Sequence, residues 1–335
     1  MDKLLTVSVA AYNMEKYLQK TLESLTVPEV LDAIEVFVVD DGGKDNSLAI
    51  AHEFAFRYPD SFHAVHKENG GYGTTINWSL THATGKYFRP LDGDDWFDCD
   101  GLIKLVDALR QTDVDAIYTP SIRVNFIDDD KEVSRSLRGA ISFHGTLTDF
   151  PNPKILNMHR LTWRTDLLRA MRLDLPGRLL YTDNIYATYP LAEARSLLTL
   201  DTPLYCHRLG RAEQSISVQN RIRHLDDSLT VAEQLAGFCQ VHTDSPNSRL
   251  ILGNAEALNR HNLRLLLSTA ADQAGTDRLR RYDRAILDLC PELYARAAKV
   301  DKIGRALGLL RKVNYLPCPA LAPLFHKVLL KGVSA

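Results

Sequence analysis

The sequence lacks a cysteine pattern that would hold a metal ion or staple a small fold. Its five cysteines are odd in number and widely scattered, and no two of them form a CxxC pair. This usage fits a reducing compartment with free thiols better than a disulfide framework or a zinc site.

Long apolar runs and an excess of one charge are also missing. No stretch of 18 consecutive apolar residues occurs, and the apolar segment near the N-terminus is too short to cross a bilayer or to indicate a signal peptide. The formal net charge of 335 residues is -2, which argues against a dedicated nucleic-acid-binding protein. We therefore expect a protein that stays in the cytoplasm.

Apolar strand-like segments alternate with helix-like segments over the first 120 residues. The predicted strands are 4–12, 34–40, 62–67, 86–91 and 115–120. The predicted helices are 15–26, 46–57, 73–83 and 100–111, with Asn46 as the expected cap of the second. This alternation predicts an α/β fold with a mixed, mostly parallel sheet flanked by helices.

The pattern changes after residue 120. Strands are predicted at 122–127 and within 196–211, and a hairpin is predicted within 135–145. From about 223 onward apolar residues recur at helical spacing. We expect a boundary near 215–222 and a helical region beyond it.

Four polar clusters directly follow predicted strands. They are Asn13, Asp40-Asp41, Asn69-Gly70-Gly71 and Asp92-Gly93-Asp94-Asp95. Ligands of open α/β sheets bind beyond the carboxyl ends of the strands. The four clusters are therefore expected to converge at one edge of the sheet.

The stretch PLDGDDWFD (90–98) crowds three carboxylates beside Trp96 and Phe97. Two carboxylates about 5 Å apart repel by roughly 3 kcal/mol, and apolar neighbours limit their solvation. A divalent cation, a basic side chain or a shifted pKa would offset this cost, and carboxylate oxygens suit Mg²⁺ or Mn²⁺. The alternative is an acidic turn in which Asp98 or Asp100 caps the next helix.

Taken together, the segments 7–25, 34–50 and 67–98 resemble the family 2 glycosyltransferases of bacterial polysaccharide assembly. The matching residues read VSVAAYNMEKYLQKTLESL, IEVFVVDDGGKDNSLAI and KENGGYGTTINWSLTHATGKYFRPLDGDDWFD, and weaker similarity continues at 181–194 and 203–217. The family usually has DDGS where this sequence has DDGG. The resemblance implies a GT-A fold at 1–215, with a donor half at about 1–120 and an acceptor half at about 121–215. A helical region would follow at 216–335.

The resemblance also implies an inverting, metal-dependent transfer of a sugar from a nucleotide-sugar donor, most simply a UDP-sugar. The acceptor would be a hydroxyl of a glycan or of a polyprenyl-linked saccharide, and the metal Mn²⁺ or Mg²⁺. The residues implied to bind the donor nucleotide are Ala11, Tyr12, Asp40, Asp41, Asn69, Gly70 and Gly71. Asp92 would bind ribose, donor sugar or metal, and Asp94 or Asp95 would contact the metal directly.

An inverting displacement needs a base that accepts the proton of the acceptor hydroxyl. The family places it in a Glu-Asp pair before a helix, and the matching stretch here is Tyr181-Thr182-Asp183. The resemblance therefore nominates Asp183, with Asp174 as the weaker candidate. The alternative role of Asp183 is to cap a helix at 184–193.

A second polar segment implied by the resemblance would close over the donor phosphates. This segment contains His207, Arg208 and Arg211 and is followed by Ser215. The alternative interpretation of the segment is an ordinary surface turn with solvated charges. Arginine binds phosphate bidentately, which suits this role. His159, Arg160 and Trp163 are further candidates for the acceptor pocket, although an exposed arginine and a core tryptophan are the default interpretation.

Residues 299–335 hold seven basic residues and one acidic residue, a net charge of +6. A basic amphipathic end can lie on an anionic membrane surface, or it can pack on its own domain with the charges outward. Peripheral membrane contact and a homodimer are both open interpretations of this end.

Two other functions compete with the glycosyltransferase hypothesis. A nucleotidyltransferase would carry a Gly-rich, basic loop after the first strand, where this sequence reads AAYNMEKY. A non-catalytic nucleotide-sugar-binding scaffold would be indicated by loss of the acidic motif or the base. A Rossmann dehydrogenase is excluded because no GxGxxG follows the first strand.

Overall fold

The computed structural model describes residues 2–127, 131–141, 143, 145–152, 156–210, 217–299 and 301–333, with side chains as far as 327. The chain divides into two compact units, Met1–Ala212 and Glu213–Ala335. Arg211 and Ser215, which were considered for phosphate binding, lie outside the described residues.

The first unit is built on a seven-stranded sheet with the order β10-β6-β9-β4-β1-β2-β3. The strands of this sheet are β1 (Leu5–Ala11), β2 (Ile34–Asp40), β3 (Phe62–His66), β4 (Tyr87–Asp92), β6 (Ala116–Tyr118), β9 (Leu161–Arg164) and β10 (Leu197–Thr199). Neighbouring strands run parallel except that β9 is antiparallel to β4 and β6. The predicted mixed, mostly parallel sheet is confirmed.

Helices pack against this sheet and bury its central strands. They are α1 (Glu15–Glu23), α2 (Ser47–Arg57), α3 (Tyr72–His82), α4 (Cys99–Arg110), α5 (Thr165–Ala170) and α6 (Asp183–Thr188). Every residue of β2 is buried, as expected for a strand that is covered on both faces. This is why β1 and β2 read as nearly continuous apolar runs.

The helix starts differ in part from the predictions. Asn46 occupies the N-cap position of α2, but its side-chain amide donates to Glu15 Oε2 (2.9 Å) and does not cap the helix. Asp45 Oδ1 accepts from the Ser47 N–H instead (2.9 Å). Asp98 does cap α4, since its Oδ1 accepts from the Gly101 N–H (3.1 Å). One carboxylate of the acidic stretch therefore has a structural role.

A second sheet of four strands has the order β5-β11-β7-β8. Its strands are β5 (Trp96–Phe97), β7 (Ser121–Ile127), β8 (Lys131–Arg138) and β11 (Tyr205–Leu209). The hairpin predicted within 135–145 is wrong, because residues 135–138 belong to β8 and pair with β7. β5 pairs with β11, which places residues 205–208 beside the acidic turn that follows β4.

The second unit is helical, as predicted. Its helices are α7 (Val218–Arg223), α8 (Leu225–Val241), α9 (Ser248–Thr269), α10 (Gln273–Leu289), α11 (Pro291–Ala297), α12 (Lys302–Lys312) and α13 (Cys318–Val333). Helix α9 is the central one and buries 15 of its 22 residues. Within the part of the chain that the structure describes, no helix is long and apolar enough to cross a membrane.

Candidate active site

The acidic turn Asp92–Asp95 is anchored to the carboxyl ends of β1 and β4. The Asp95 N–H donates to the Asp92 carbonyl (3.0 Å), and the Gly93 N–H donates to the Ala10 carbonyl (3.1 Å). A Cβ atom on Gly93 would lie 2.6 Å from the Ala10 oxygen, so only glycine allows this close approach. The contact brings the acidic turn and the end of β1 together, as the polar clusters predicted.

Asp95 fixes the turn to the second sheet. Its carboxylate is buried, its Oδ2 accepts from the Tyr205 hydroxyl (2.7 Å), and its Oδ1 accepts from the Arg208 N–H (2.7 Å). Asp95 was predicted as a metal ligand, and these two bonds engage both of its oxygens with protein donors. Its geometry is therefore that of an anchor for β11.

The carboxylates of the turn differ in their ionisation. Burial, reinforced by the charges of Asp94 and Asp92, raises the pKa of Asp95 well above its usual range. Burial acts in the same direction on Asp92, but hydrogen bonds and the charge of His159, together with Tyr72, outweigh it and lower the pKa of Asp92. Asp92 is therefore the readily ionised carboxylate, while Asp95 resists ionisation.

Two histidines face the acidic turn. His159 Nε2 lies 3.6 Å from Asp92 Oδ2, and its ring stacks on that of His207 with centroids 5.0 Å apart. Ligand atoms of Asp95, His159 and His207 all lie within 4.8 Å of one another. Burial and the neighbouring His159 lower the pKa of His207 to about 3, so its imidazole is neutral at pH 7. Carboxylate oxygens together with the neutral imidazole of His207 form a donor set that fits a divalent cation such as Mn²⁺.

Arg208 does not lie where a phosphate-binding arginine was expected. Its guanidinium is buried among the rings of Tyr17, Trp96 and Phe126, at 4.9, 5.5 and 4.2 Å from their centroids. Its Nε donates to the Asp94 carbonyl (3.2 Å). Successive side chains of a strand point to opposite faces, so His207 and Arg208 of β11 face different surroundings. His207 stacks on His159, which lies beside Asp92, whereas the Arg208 side chain contacts the acidic turn through the Asp94 carbonyl.

The residues predicted to bind the nucleotide lie at the ends of β1 and β2. Ala11 is buried, whereas the Tyr12 ring is 48% exposed and available for stacking. Asp40 Oδ2 contacts His66 Nδ1 (2.7 Å), and Asp41 Oδ1 accepts from Lys67 Nζ (2.6 Å). Both carboxylates are thus engaged with side chains that follow β3 or end it.

The Asn69-Gly70-Gly71 loop is held by the same aspartate. Asp41 accepts from the N–H groups of Gly70 (3.0 Å) and Gly71 (2.8 Å), and the Asn69 side chain donates to the Asp41 carbonyl (2.9 Å). Gly71 has φ +87°, and a Cβ atom there would lie 2.7 Å from the Arg178 nitrogen. The Arg178 N–H in turn donates to the Gly70 carbonyl (2.7 Å). Glycine therefore lets the segment that leads into α6 cross this loop.

Asp183 is the first residue of α6 and lies near enough to Asp92 and His159 for their charges to act on its carboxylate. Burial raises its pKa; the nearby charge of Asp92 acts in the same direction and His159 acts against it. The alternative of Asp183 as a helix cap is wrong, since Thr182 holds the N-cap position. Asp174 is exposed, and its Oδ1 accepts from the Asn77 side chain (2.6 Å). Of the two base candidates, Asp183 is the buried one that lies near Asp92.

Two further residues contact Asp92. The sequence analysis did not name the first, Tyr72, and suggested the second, His159, only for the acceptor pocket. The Tyr72 hydroxyl donates to the Asp92 carboxylate and lies 3.0 Å from Met158 Sδ. Burial, with the charges of Asp92 and Asp183, raises the pKa of Tyr72. His159, suggested for the acceptor pocket, contacts Asp92. Tyr72 directly follows the glycine pair, which is the only sequence signal that could have indicated it.

The other two candidates for the acceptor pocket belong to the core. Trp163 is fully buried, and Arg160 is buried with its Nε donating to Ser121 Oγ (3.0 Å). Arg160 directly precedes β9, and Trp163 lies within it. Strand β9 lies between β4 and β6 in the sheet. Their burial follows from that central position, so neither lines the cleft as a free side chain.

Arg89 of β4 is a fully buried cation behind the cleft, and the sequence analysis did not single it out. It donates to Thr162 Oγ1 (2.8 Å), to Thr119 Oγ1 (3.2 Å) and to the His159 carbonyl (2.5 Å). Among the residues that the structure describes, no carboxylate pairs with it. Burial lowers the pKa of Arg89 to about 10, so it stays charged at pH 7. Arg89 thereby holds the backbone of His159 against the site.

Comparison with known families identifies the domain. The model of glycosyl transferase family 2 matches residues 6–165. Residues 6–165 form a family 2 glycosyltransferase domain. The chain is 27% identical over 248 residues to the EpsH protein of Bacillus subtilis (strain 168), a match that covers 69% of the chain and 68% of EpsH.

Solved structures share the fold of this family 2 glycosyltransferase. The crystal structure of S. aureus TarS 1-349 has a TM-score of 0.67 at 17% identity and covers 98% of the chain and 92% of TarS 1-349. The mannosyltransferase PcManGT of Pyrobaculum calidifontis, solved with GDP-Man and Mn²⁺, has a TM-score of 0.51 at 16% identity and covers 97% and 88%. The predicted GT-A fold is confirmed.

Proposed function

We propose that this family 2 enzyme transfers a sugar from a nucleotide-sugar donor to a saccharide hydroxyl, with inversion and with Asp183 as the base. The observation that carries the proposal is the convergence of Asp183 with Asp92 and His159 in one cleft. An acidic turn suited to a cation and a nearby carboxylate with a raised pKa are the two components that such a displacement needs.

The donor side of the cleft would be formed by the ends of β1 and β2. The half-exposed Tyr12 ring would stack on the base, and the wall braced by Asp40 and Asp41 would hold the nucleoside. TarS has been solved with UDP-GlcNAc, and its similarity in fold supports a UDP-linked sugar as the first donor to test. The proposed donor is a UDP-hexose.

A divalent cation would be held by the carboxylate of Asp92 or Asp94 together with His207. The neutral imidazole of His207 and the ionised Asp92 favour this assignment over Asp95, whose oxygens accept from Tyr205 and Arg208. When bound, Mn²⁺ or Mg²⁺ would neutralise charge on the donor diphosphate as it leaves.

Asp183 would take the acceptor proton. The acceptor oxygen forms a bond to the anomeric carbon, the bond from that carbon to the diphosphate oxygen breaks, and the diphosphate leaves with the electron pair. The proton of the acceptor hydroxyl passes to the Asp183 carboxylate. A raised pKa makes this carboxylate a stronger base than an exposed aspartate, which helps proton removal near neutral pH.

The decisive experiment separates donor binding from transfer. Asp183→Asn should leave UDP binding in the presence of Mn²⁺ unchanged and reduce the turnover of sugar transfer by about 10²- to 10⁴-fold, the usual contribution of a general base. Asp174→Asn, a substitution of the exposed weaker candidate, is the matched control and should leave both quantities unchanged. Equal losses in the two variants would refute the assignment of the base.

The products distinguish the competing functions. A nucleotidyltransferase would release pyrophosphate from a nucleoside triphosphate, and a scaffold would bind the donor without turnover. Release of UDP that depends on an added saccharide acceptor supports the glycosyltransferase. The proposed acceptor class includes polyprenyl-linked saccharides, which would require a peripheral position at the membrane.

A further inference from the structure

Helix α12 and the turn after it present apolar and basic side chains to solvent on one face. Leu309, Val313 and Leu316 are 65%, 48% and 77% exposed. The buried residues of α12, Gly304, Leu307 and Leu310, lie on its other side. Three large apolar side chains exposed within eight residues form a patch of the kind that marks an interaction surface.

Basic residues interleave with these apolar side chains. Lys302, Arg305 and Lys312 are exposed. Because successive helical residues are rotated by about 100°, these three side chains lie together with Leu309 and Val313 within an arc of about 100° around the helix axis. We call residues 302–316 on this side the basic–apolar face. The sequence from 302 to 335 contains six basic residues and no aspartate or glutamate, so nothing within this stretch neutralises the face.

The turn at the end of the face is held in place from inside the second unit. Asn314 and Tyr315 adopt φ values of +49° and +61°, a backbone conformation that non-glycine residues seldom take. The Tyr315 hydroxyl donates to Asp283, and Arg311 donates to both oxygens of Asp283 (2.6 and 2.8 Å). Leu316 is thus exposed at a fixed position, which is costly in water unless something covers it.

We propose that the basic–apolar face binds the surface of an anionic lipid bilayer. The leucines would enter the boundary between headgroups and acyl chains, and the lysines and the arginine would meet anionic headgroups. A second copy of this chain fits less well, because an isologous contact would bring cations against cations with no acid between them. This inference does not depend on the transfer reaction, since it concerns residues of the helical unit alone.

The test uses the full chain and vesicles of defined composition. Flotation is measured with vesicles of equal phosphatidylglycerol and phosphatidylcholine, with vesicles of phosphatidylcholine alone, and at low and high salt. The protein is expected to float with the anionic vesicles only. Salt near 1 M should release it, because the Debye length falls to about 3 Å.

Two double variants separate the apolar and electrostatic contributions. Leu309→Ser/Leu316→Ser and Lys302→Gln/Lys312→Gln should each weaken binding to anionic vesicles by roughly tenfold or more. Val241→Ser, which changes an apolar residue of α8 that is 74% exposed, is the matched control and should bind like the unaltered protein. Circular dichroism and UDP binding should be unchanged in all variants.

Several outcomes would overturn the proposal. One is no flotation of the unaltered protein, and another is equal flotation with neutral vesicles. Undiminished binding of the Leu309→Ser/Leu316→Ser variant would indicate that the face binds a soluble polyanion and not a bilayer. A change from dimer to monomer in either double variant, without a change in flotation, would indicate that the face mediates self-association. UDP binding is read separately, so failure of the proposed enzymatic function would leave the vesicle result interpretable.

Discussion

Replacing Arg89 by methionine should leave the stability of the protein nearly unchanged while impairing its site. Burial lowers the pKa of Arg89 to about 10, and this shift corresponds to about 3 kcal/mol of cost for carrying the charge in the folded state. Arg89→Met removes this cost. It also removes the donors to Thr119, Thr162 and the His159 carbonyl.

The two effects on stability are of similar size. The threonine hydroxyls can rotate toward other partners, so the main loss is the buried His159 carbonyl, about 1–3 kcal/mol. The net change in the free energy of unfolding should stay within about 2 kcal/mol. Freed from Arg89, however, the turn that carries His159 should hold its imidazole less well against Asp92. UDP binding in the presence of Mn²⁺ should then weaken by roughly tenfold, equivalent to about 1.4 kcal/mol.

Urea unfolding and titration calorimetry measure the two quantities on the same preparation. Arg89→Lys retains a charge but not the planar set of donors, and it should be less stable than Arg89→Met. Arg57→Met, at an exposed position of α2, is the control and should change neither quantity. A loss of more than about 4 kcal/mol in Arg89→Met, or unchanged UDP binding, would refute this reasoning.

Three further outcomes are expected. Asp95→Ala leaves the buried Tyr205 hydroxyl and Arg208 N–H without an acceptor, so urea unfolding should show a loss of about 2–6 kcal/mol; a loss below about 1 kcal/mol would contradict the anchoring role. Gly71→Ala should destabilise the protein by about 1–3 kcal/mol because of its positive φ and the Arg178 contact, whereas Gly237→Ala, in a helix with open space, should stabilise it by up to about 1 kcal/mol. Turnover should fall as the pH is lowered through the pKa of Asp183, at a pH above the 3.8 of an ordinary aspartate, because only the deprotonated form accepts a proton; this acidic limb should be absent from the residual rate of Asp183→Asn.

The sheet and the position of the acidic turn could be predicted because they depend on local patterns. β2 has the predicted bounds, and β1 differs by one residue at each end, since buried parallel strands are nearly continuous apolar runs. The strand at 122–127 was predicted, but residues 135–138 of β8 were assigned to a separate hairpin, because the mostly exposed residues of β8 carry no alternating apolar pattern. Strand existence was thus easier to predict than strand pairing.

The direction of side chains in the site could not be predicted from spacing alone. Arg208 was expected at the phosphates because arginine suits them, but the aromatic rings that surround it come from α1, β5 and β7. Arg89 and His159 likewise gain their roles from a contact between residues 70 positions apart. Such contacts depend on the complete tertiary arrangement, which no local window contains.

The hydrogen bonds of Asp95 also bear on the order in which the protein folds. They join residues 110 and 113 positions apart, and contacts of such high sequence separation form late because the loop between them must first close. The stretch that matches the family, residues 6–165, ends before β11 and so lacks both partners. During synthesis the acidic turn would therefore emerge well before the strand that immobilises it, and nucleotide binding would report the completed unit rather than its first strands.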